Sequence, residues 1–522
     1  MKVLKLTLPR YKNLFDFEIN FDENIPDVLL IGNNGAGKSN LIEALVIIFR
    51  DLIEGRHTET DFSYNIIYEI KNIKILIDHD PNRERVRTNI NVEGNNVNAL
   101  YLTENGLLPR TLFAYYSGAS DRLSKLFDRS LVLFRDKMIA GDISAHQSLI
   151  YGRAIHSRFV LLAFLIDQDA EALSVLHEEL GIEELASALF VLQKPSWGAN
   201  QSVKDKSKFW NAKGVVRKFL NQLYDASLAP LQVLAKERTG INTKSNRQRI
   251  YLFIRKVEDL RRIVDNLKPK KEPRSRSLFR LLESAFVSDL IYDIVVTIRK
   301  TGADGSIGFR ELSEGEQQLL MVLGLLRFTK DEESLFLLDE PDTHLNPVWG
   351  LKFLELVDKV VGQDKSRHLL FVTHDPVAVA MSNRKQVRLL TKSEDGKIEA
   401  REPSEDPSKL GVPGVLMSEM FGLDSLMAPS VQKDVNEKHH LVALGDDRSP
   451  AQSAELDRVN QRLSEVDVSA SLPDPLYAEF VKRIMEREAA FIASETTLTR
   501  KQLKERDELM DKILDELFGD KK

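Results

Sequence analysis

Cysteine is absent from all 522 residues. That excludes disulfides, thiolate metal sites and cysteine nucleophiles, and it agrees with a reducing compartment. A long apolar run is also lacking. The most apolar internal stretch, FVLLAFLI at 159–166, falls far short of the roughly 20 residues a membrane helix needs. The opening MKVLKLTLPR has no apolar core of signal-peptide length. A cytoplasmic protein with no membrane partner is therefore expected. Internal repeats, zinc-type His/Cys spacings and sustained heptads are missing too.

What is present begins with 43% apolar residues, enough for sizeable cores in roughly two to four domains. A net charge of −6 would argue against a nucleic-acid binder, but the average conceals an asymmetry. Residues 201–280 hold 21 Lys and Arg against 7 Asp and Glu, a net of +14, so the rest of the chain carries −20.

The stretch LLIGNNGAGKSNLIEAL at 29–45 places Gly32, Gly37, Lys38 and Ser39 in the G-x-x-x-x-G-K-[ST] spacing, between a strand-like apolar run and a helical one. Such a loop curls backbone N–H groups around phosphates at a helix N-terminus. Asn33, Asn34, Gly35, Ala36 and Asn40 complete the expected ATP cradle, Lys38 adds charge, and Ser39 is placed to ligate Mg²⁺. Four further apolar residues precede two acids in SLFLLDEPDTHLNP at 334–347. This fits a buried parallel strand whose end projects Asp339 toward Mg²⁺ and Glu340 toward an attacking water. An acidic turn after a core strand is the plain alternative. In ELSEGEQQLL at 311–320, Ser313 and Glu316 have the spacing of a helix capping box.

Organisation follows from composition. Residues 1–120 alternate short apolar runs with turns, an α/β lobe. Residues 121–285 read as a helical, partly basic insertion, with SVLHEELGIEELASALFVL and VRKFLNQLYDASLAPLQVLAKE taken as helices. A second α/β lobe spans 286–400. The tail, 401–522, holds 17 basic against 25 acidic residues and ends in expected helices, including 499–518.

ELSEGEQQLL resembles the LSGGQ-type signature of the ABC ATPase superfamily, and it lies in the ABC order: P-loop, signature, LLDE, then LLFVTHDP at 369–376. The resemblance implies that Ser313, Gly315 and Glu316 face ATP bound by another subunit, and that His374 is the switch histidine. It also implies a homodimer or higher homo-oligomer built through the heads. The 300 residues separating Ser39 from Asp339 are similar to the split-headed branch that includes structural-maintenance-of-chromosomes, RecF-like and OLD-like proteins. DEPDTHLNP is typical of the OLD-like group. LFAYYSG at 112–118 and GVLMSEMFGLDSLMAPSVQKDVNEKHHLVAL at 414–444 resemble the ATPases of Septu antiphage systems, including retron-associated forms. The implied fold is α/β: a two-lobed ABC-type ATPase head with a helical insertion and a helical C-terminal tail. The implied function is ATP hydrolysis with Mg²⁺, controlling a separate HNH-type nuclease in antiphage defence. Alternatives are a DNA-repair or chromosome-maintenance ATPase of the RecF kind, and an ATP-binding scaffold with little turnover.

Two departures from the family stand out. Asn346 and Pro347 replace the D-loop aspartate, and YYSG stands where a Q-loop glutamine is expected, so hydrolysis that is slow or gated by a partner fits as well as brisk turnover. HHLVALGDDRSP at 439–450 only superficially resembles a TOPRIM nuclease opening, which leaves the tail as a partner-binding or oligomerisation element, with docking of the nuclease expected. Lys268, Lys270, Lys271, Arg274 and Arg276, with Phe209, Trp210, Tyr224 and Tyr251 in the same segment, are candidates for contact with DNA, RNA or a retron RNA–DNA molecule. A solvated loop is the plain alternative.

Overall fold

The computed structural model describes residues 1–140, 147–167, 170–198, 208–238, 244–329, 333–361, 367–444 and 448–464. Met1–Gly422 forms one compact unit and the residues from Leu423 onward another. No helix among the described residues is long and apolar enough to cross a membrane.

A seven-stranded sheet organises the first unit. Its order is Ile398–Arg401, Val387–Lys392, Asp27–Gly32, His368–Val372, Ser334–Asp339, Thr111–Tyr116 and Leu149–Tyr151. All pairings are parallel except that of the edge strand Ile398–Arg401. The middle strands read as continuous apolar runs because both faces are covered. Val28, Leu30, Leu335, Leu337, Leu370 and Val372 enter one core, while Leu29, Ile31, Phe336, Leu338, Leu369 and Phe371 enter another. Alternation at period two thus divides each strand between two cores.

The first core lies against the helix Lys38–Ile53 and a six-stranded antiparallel sheet of Leu14–Asn20, Lys2–Tyr11, Tyr64–Ile70, Ile73–His79, Thr88–Val92 and Asn95–Val97. The second core continues into helices His156–Ile166, Gly214–Ala226, Val257–Leu267, Arg274–Val287 and Glu314–Thr329. It also covers one face of a five-stranded antiparallel sheet, ordered Leu231–Arg238, Lys244–Ile254, Ile182–Gln193, Ile291–Lys300 and Ser306–Gly308.

That sheet corrects the helical reading of 121–285. Ile182–Gln193 was expected to be helical, yet it pairs with strands on both sides. Its helix formers Glu183, Glu184, Leu185 and Ala186 are overridden by two-sided pairing and by Ala188, Phe190 and Leu192, which bury at alternate positions. Leu231–Arg238 is likewise a hairpin strand. Ile291–Lys300, placed in the second lobe from sequence, belongs to this sheet and not to the central one.

Within the expected tail, residues up to 422 belong to the first unit, including Pro407–Met417, a helix interrupted at Gly411. In the second unit, Pro429–Ala443 and Pro450–Ser464 are helices joined by Arg462, which donates to the Asp434 carboxylate. The expected helix at 499–518 lies outside the described residues.

Candidate nucleotide site

The register of the central sheet brings five strands together at one end: Gly32 pairs with Leu390, while Asp339 pairs with both Val372 and Tyr116. Functional groups leave from these carboxyl ends, where open α/β sheets bind ligands. The loop Gly32–Gly37 turns from strand into the helix Lys38–Ile53. Gly37 makes that turn in the left-handed region, at φ 84°, with no side chain capping the helix. Lys38 is buried, and its Nζ donates to the carbonyl oxygens of Gly32 and Asn33 at 2.6 and 3.2 Å. Burial lowers its pKa, while Asp339 and Glu340 act in the opposite direction.

Asp339 is 3% exposed, and burial pushes its carboxyl up to about 6 against a hydrogen bond from Ser39. Its Oδ1 is buried with no hydrogen-bond partner among the described residues. An unsatisfied buried carboxylate oxygen beside a serine hydroxyl fits a hard divalent cation. No three His, Cys, Asp or Glu side chains group to hold a metal among the described residues. Mg²⁺ takes one or two protein ligands and completes its shell with water and phosphate, so Ser39 and Asp339 could hold it.

Glu340 leaves the strand with φ 54°, a conformation non-glycine residues rarely adopt, and its N–H donates to the Val372 carbonyl at 3.0 Å. Its Oε1 lies 3.5 Å from Nε2 of His374. Burial and Lys38 lower the His374 pKa, with Glu340 opposing, which favours the neutral imidazole. The buried Asp342 carboxylate, pushed up to about 6 by burial, accepts from Thr373 Oγ1 at 2.5 Å and so braces the chain beside His374. A cleft of about 470 Å³ opens between Gly32–Asn34 and Thr373–His374, with Met420 and Phe421 in its wall. A second, of about 290 Å³, is lined by Glu340, Asp342, His374 and Asp375.

Ser313 and Glu316 form the expected capping box at the start of Glu314–Thr329: Ser313 N donates to Glu316 Oε2 at 2.7 Å, and Glu316 N to Ser313 Oγ at 3.2 Å. Glu316 also pairs with Lys300. Gly315 packs so closely that a Cβ there would lie 2.4 Å from the His344 carbonyl oxygen. Gln318 donates to the Pro341 carbonyl at 2.7 Å, so the signature helix is keyed to the loop that follows Asp339. The Asn346–Pro347 departure has a local cause: Asn346 Oδ1 accepts from Trp349 N at 2.9 Å, and Pro347 opens the helix Pro347–Val361.

Residues beyond the motifs join the site. Asn13 Nδ2 donates to the Gly35 carbonyl at 2.8 Å, and Asn40 Nδ2 to Asn13 Oδ1 at 2.6 Å. Arg122 Nη1 donates to Asn40 Oδ1 at 3.1 Å. No local spacing could reveal this chain, because its links span 27 and 82 residues.

The basic segment looks different. Arg274 is held by Asp265 through two 2.9 Å contacts, and Lys268 Nζ donates to the Glu272 carbonyl at 3.2 Å. Lys270 and Lys271 are exposed, and Arg276 is half-buried. The accompanying aromatics do not form a stacking row: Phe209 is buried, and Trp210 Nε1 donates to Gln248 Oε1 at 2.9 Å.

A parallel sheet whose carboxyl end gathers a glycine-loop lysine, a buried aspartate, a strained glutamate and a histidine defines a nucleoside-triphosphate-binding class of site. The chain belongs to the family described as "AAA domain, putative AbiEii toxin, Type IV TA system", whose model matches residues 28–137 and 186–380, more than half of the sequence. It is similar to the Septu protein PtuA of Bacillus mycoides (strain KBAB4), 26% identical over 218 residues, which is 39% of this chain and 29% of PtuA. The match thus spans less than a third of that relative's length. Among solved structures, the SMC head domain from Thermotoga maritima matches 78% of this chain and 100% of its own at TM-score 0.33 and 12% identity. An Smc head domain derived from Pyrococcus furiosus, bound in its structure to the C-terminal domain of ScpA, covers 78% of this chain and 97% of its own at TM-score 0.32 and 14% identity. Superpositions that loose carry no argument here. The family model shows an AAA domain, and the PtuA match is a likeness over part of the chain.

Proposed function

We propose that this chain binds and hydrolyses ATP, and that two copies close head to head around two nucleotides to control a separate HNH-type nuclease in antiphage defence. The observation that carries the ATPase reading is the convergence of Lys38, Ser39, Asp339, Glu340 and His374 on neighbouring parallel strand ends. In this reading Lys38 leaves its two carbonyl partners for the β- and γ-phosphates. Ser39 and Asp339 would hold Mg²⁺, which would supply positive charge beside the transferred phosphoryl group. Glu340 orients and polarises the attacking water, held in line by His374 at 3.5 Å. Ser313, Gly315 and Glu316 present a helix N-terminus to the nucleotide of the other copy.

The Septu likeness supports the defence role, and the nuclease partner is carried over with the family resemblance. The tail from 401 to 522 is assigned to docking that partner: deleting the residues after Pro473 should abolish nuclease co-purification while sparing ATPase activity. Nucleic-acid contact is assigned to Lys268, Lys270, Lys271, Arg274 and Arg276. A chromosome-maintenance arm finds little support, since residues 182–300 hold an antiparallel sheet and helices of at most 14 residues among those described.

The deciding experiment compares Glu340→Gln with Lys38→Ala. The first should keep ATP binding and lose turnover by about a hundred-fold or more, while the second should lose binding itself. Unchanged turnover in Glu340→Gln removes the glutamate from its role.

A further inference from the structure

The loop Ser117–Asp121 leaves the carboxyl end of Thr111–Tyr116, the strand beside Asp339. At its near end, Ser117 N donates to the Asp339 carbonyl at 3.2 Å, and Ser117 Oγ lies 3.0 Å from Thr343 Oγ1. At its far end, Arg122 reaches the P-loop helix: Nε meets Glu43 Oε2 at 2.8 Å and Nη1 donates to Asn40 Oδ1 at 3.1 Å. One short loop therefore touches both halves of the nucleotide site.

Glu43 is 6% exposed, an unusual place for a carboxylate. It also accepts from Lys12 Nζ at 2.5 Å and from Tyr11 OH at 3.0 Å. One buried negative charge thus holds two cations drawn from separate elements, leaving a surplus positive charge on the flank of the phosphate cradle. The Arg122 side chain is 45% exposed. Asn40, which it grips, directly follows Ser39 in the first turn of the P-loop helix, where the phosphate chain of a bound nucleotide passes.

We propose that Arg122, positioned by Glu43, is a second phosphate-binding cation of this site, meeting the phosphate chain of a nucleoside di- or triphosphate alongside Lys38. The proposal rests on the nucleotide-site reading above. A guanidinium suits the task, because its fork can hold Glu43 and Asn40 and still present an N–H to phosphate. The contact is made in the ground state, so it governs affinity for both ATP and ADP more than the rate of hydrolysis.

The test is equilibrium binding of Mg²⁺–ATP and Mg²⁺–ADP to the full chain across a salt series, with thermal melts confirming the fold. Arg122→Gln should weaken both nucleotides by on the order of ten-fold and flatten the salt dependence, since a charge facing phosphate has been removed. Arg122→Lys should restore most of the salt dependence. Glu43→Gln should weaken binding in the native background yet add little to Arg122→Gln, the non-additivity expected when one residue acts through the other. Native-like binding by Arg122→Gln would overturn the proposal and leave the nucleotide site standing. So would a loss with unaltered salt dependence that adds fully to Glu43→Gln, because that pattern marks a purely structural bond. If the folded native protein bound neither nucleotide, the site reading itself would fall and this inference with it.

Discussion

The central parallel sheet and the five-stranded antiparallel sheet share one hydrophobic core yet treat charge in opposite ways. In the first, Lys38, Asp339 and Asp342 are buried at or just beyond strand ends, with Asp339 keeping an unsatisfied oxygen. Around the second, Arg274 sits on Asp265, Arg280 on Glu272 and Arg262 on Asp259, all at partly or fully exposed positions. Burying unsatisfied charge is costly and needs a ligand to compensate it, whereas exposed pairs cost and contribute little. The difference teaches that a net of +14 in sequence is a weaker sign of a site than a few charges placed where water cannot reach them.

Substitutions can break that comparison. Asp339→Asn should produce the largest effect, a loss of Mg²⁺-dependent turnover by about a hundred-fold or more, because the ligand carboxylate is removed. The same change should raise the melting temperature of the nucleotide-free protein, since a buried charge becomes neutral. A lower melting temperature would show that the carboxylate already has a structural partner.

Gly324→Ala comes next. A Cβ there would stand 2.0 Å from Val160 Cγ1, inside the contact between the signature helix and His156–Ile166. Overpacking a fully buried branched side chain should cost about 1–3 kcal/mol, visible in denaturant melts.

His368, at the opposite end of the central sheet, sharpens the account through pH. It is completely buried, and neither ring nitrogen has a hydrogen-bond partner among the described residues. Burial pushes its pKa down to about 3. The folded protein therefore binds fewer protons than the unfolded chain, so stability is fully present above about pH 6.5 and declines as pH falls toward 3. Between pH 7 and 5 the loss should be about 2 kcal/mol. His368→Leu should flatten that limb of the stability curve; an equally steep limb in the variant assigns acid sensitivity elsewhere.

The smallest effect belongs to the basic run. Charge reversal at Lys268, Lys270, Lys271, Arg274 and Arg276 should alter stability by less than about 1 kcal/mol. If the run contacts nucleic acid, the same variant should bind it more weakly and with a shallower salt dependence. An unchanged slope would make the run a solvated loop.

The same contrast explains what was legible. The P-loop, LLDE and LLFVTH strands could be read because a strand buried on both faces leaves a continuous apolar run, and because their chemistry follows directly at the strand ends. Ile182–Gln193 misled because Glu183–Ala186 favour a helix locally, and only pairing with Lys244–Ile254 and Ile291–Lys300 decides otherwise. Arg122, Glu43 and Asn13 carry no motif, since their meeting depends on where two distant loops cross the P-loop helix.

Mixing inactive chains measures whether a second copy completes the site. If the proposed sandwich forms, Lys38→Ala removes the phosphate grip of one copy, while Ser313→Arg blocks the signature offered to the other. Each alone should be inactive, and an equal mixture should recover roughly a quarter of native turnover, because half the dimers are mixed and each has one intact site. A mixture that stays inactive, although mixed dimers are shown to form and both chains are folded, would contradict the account.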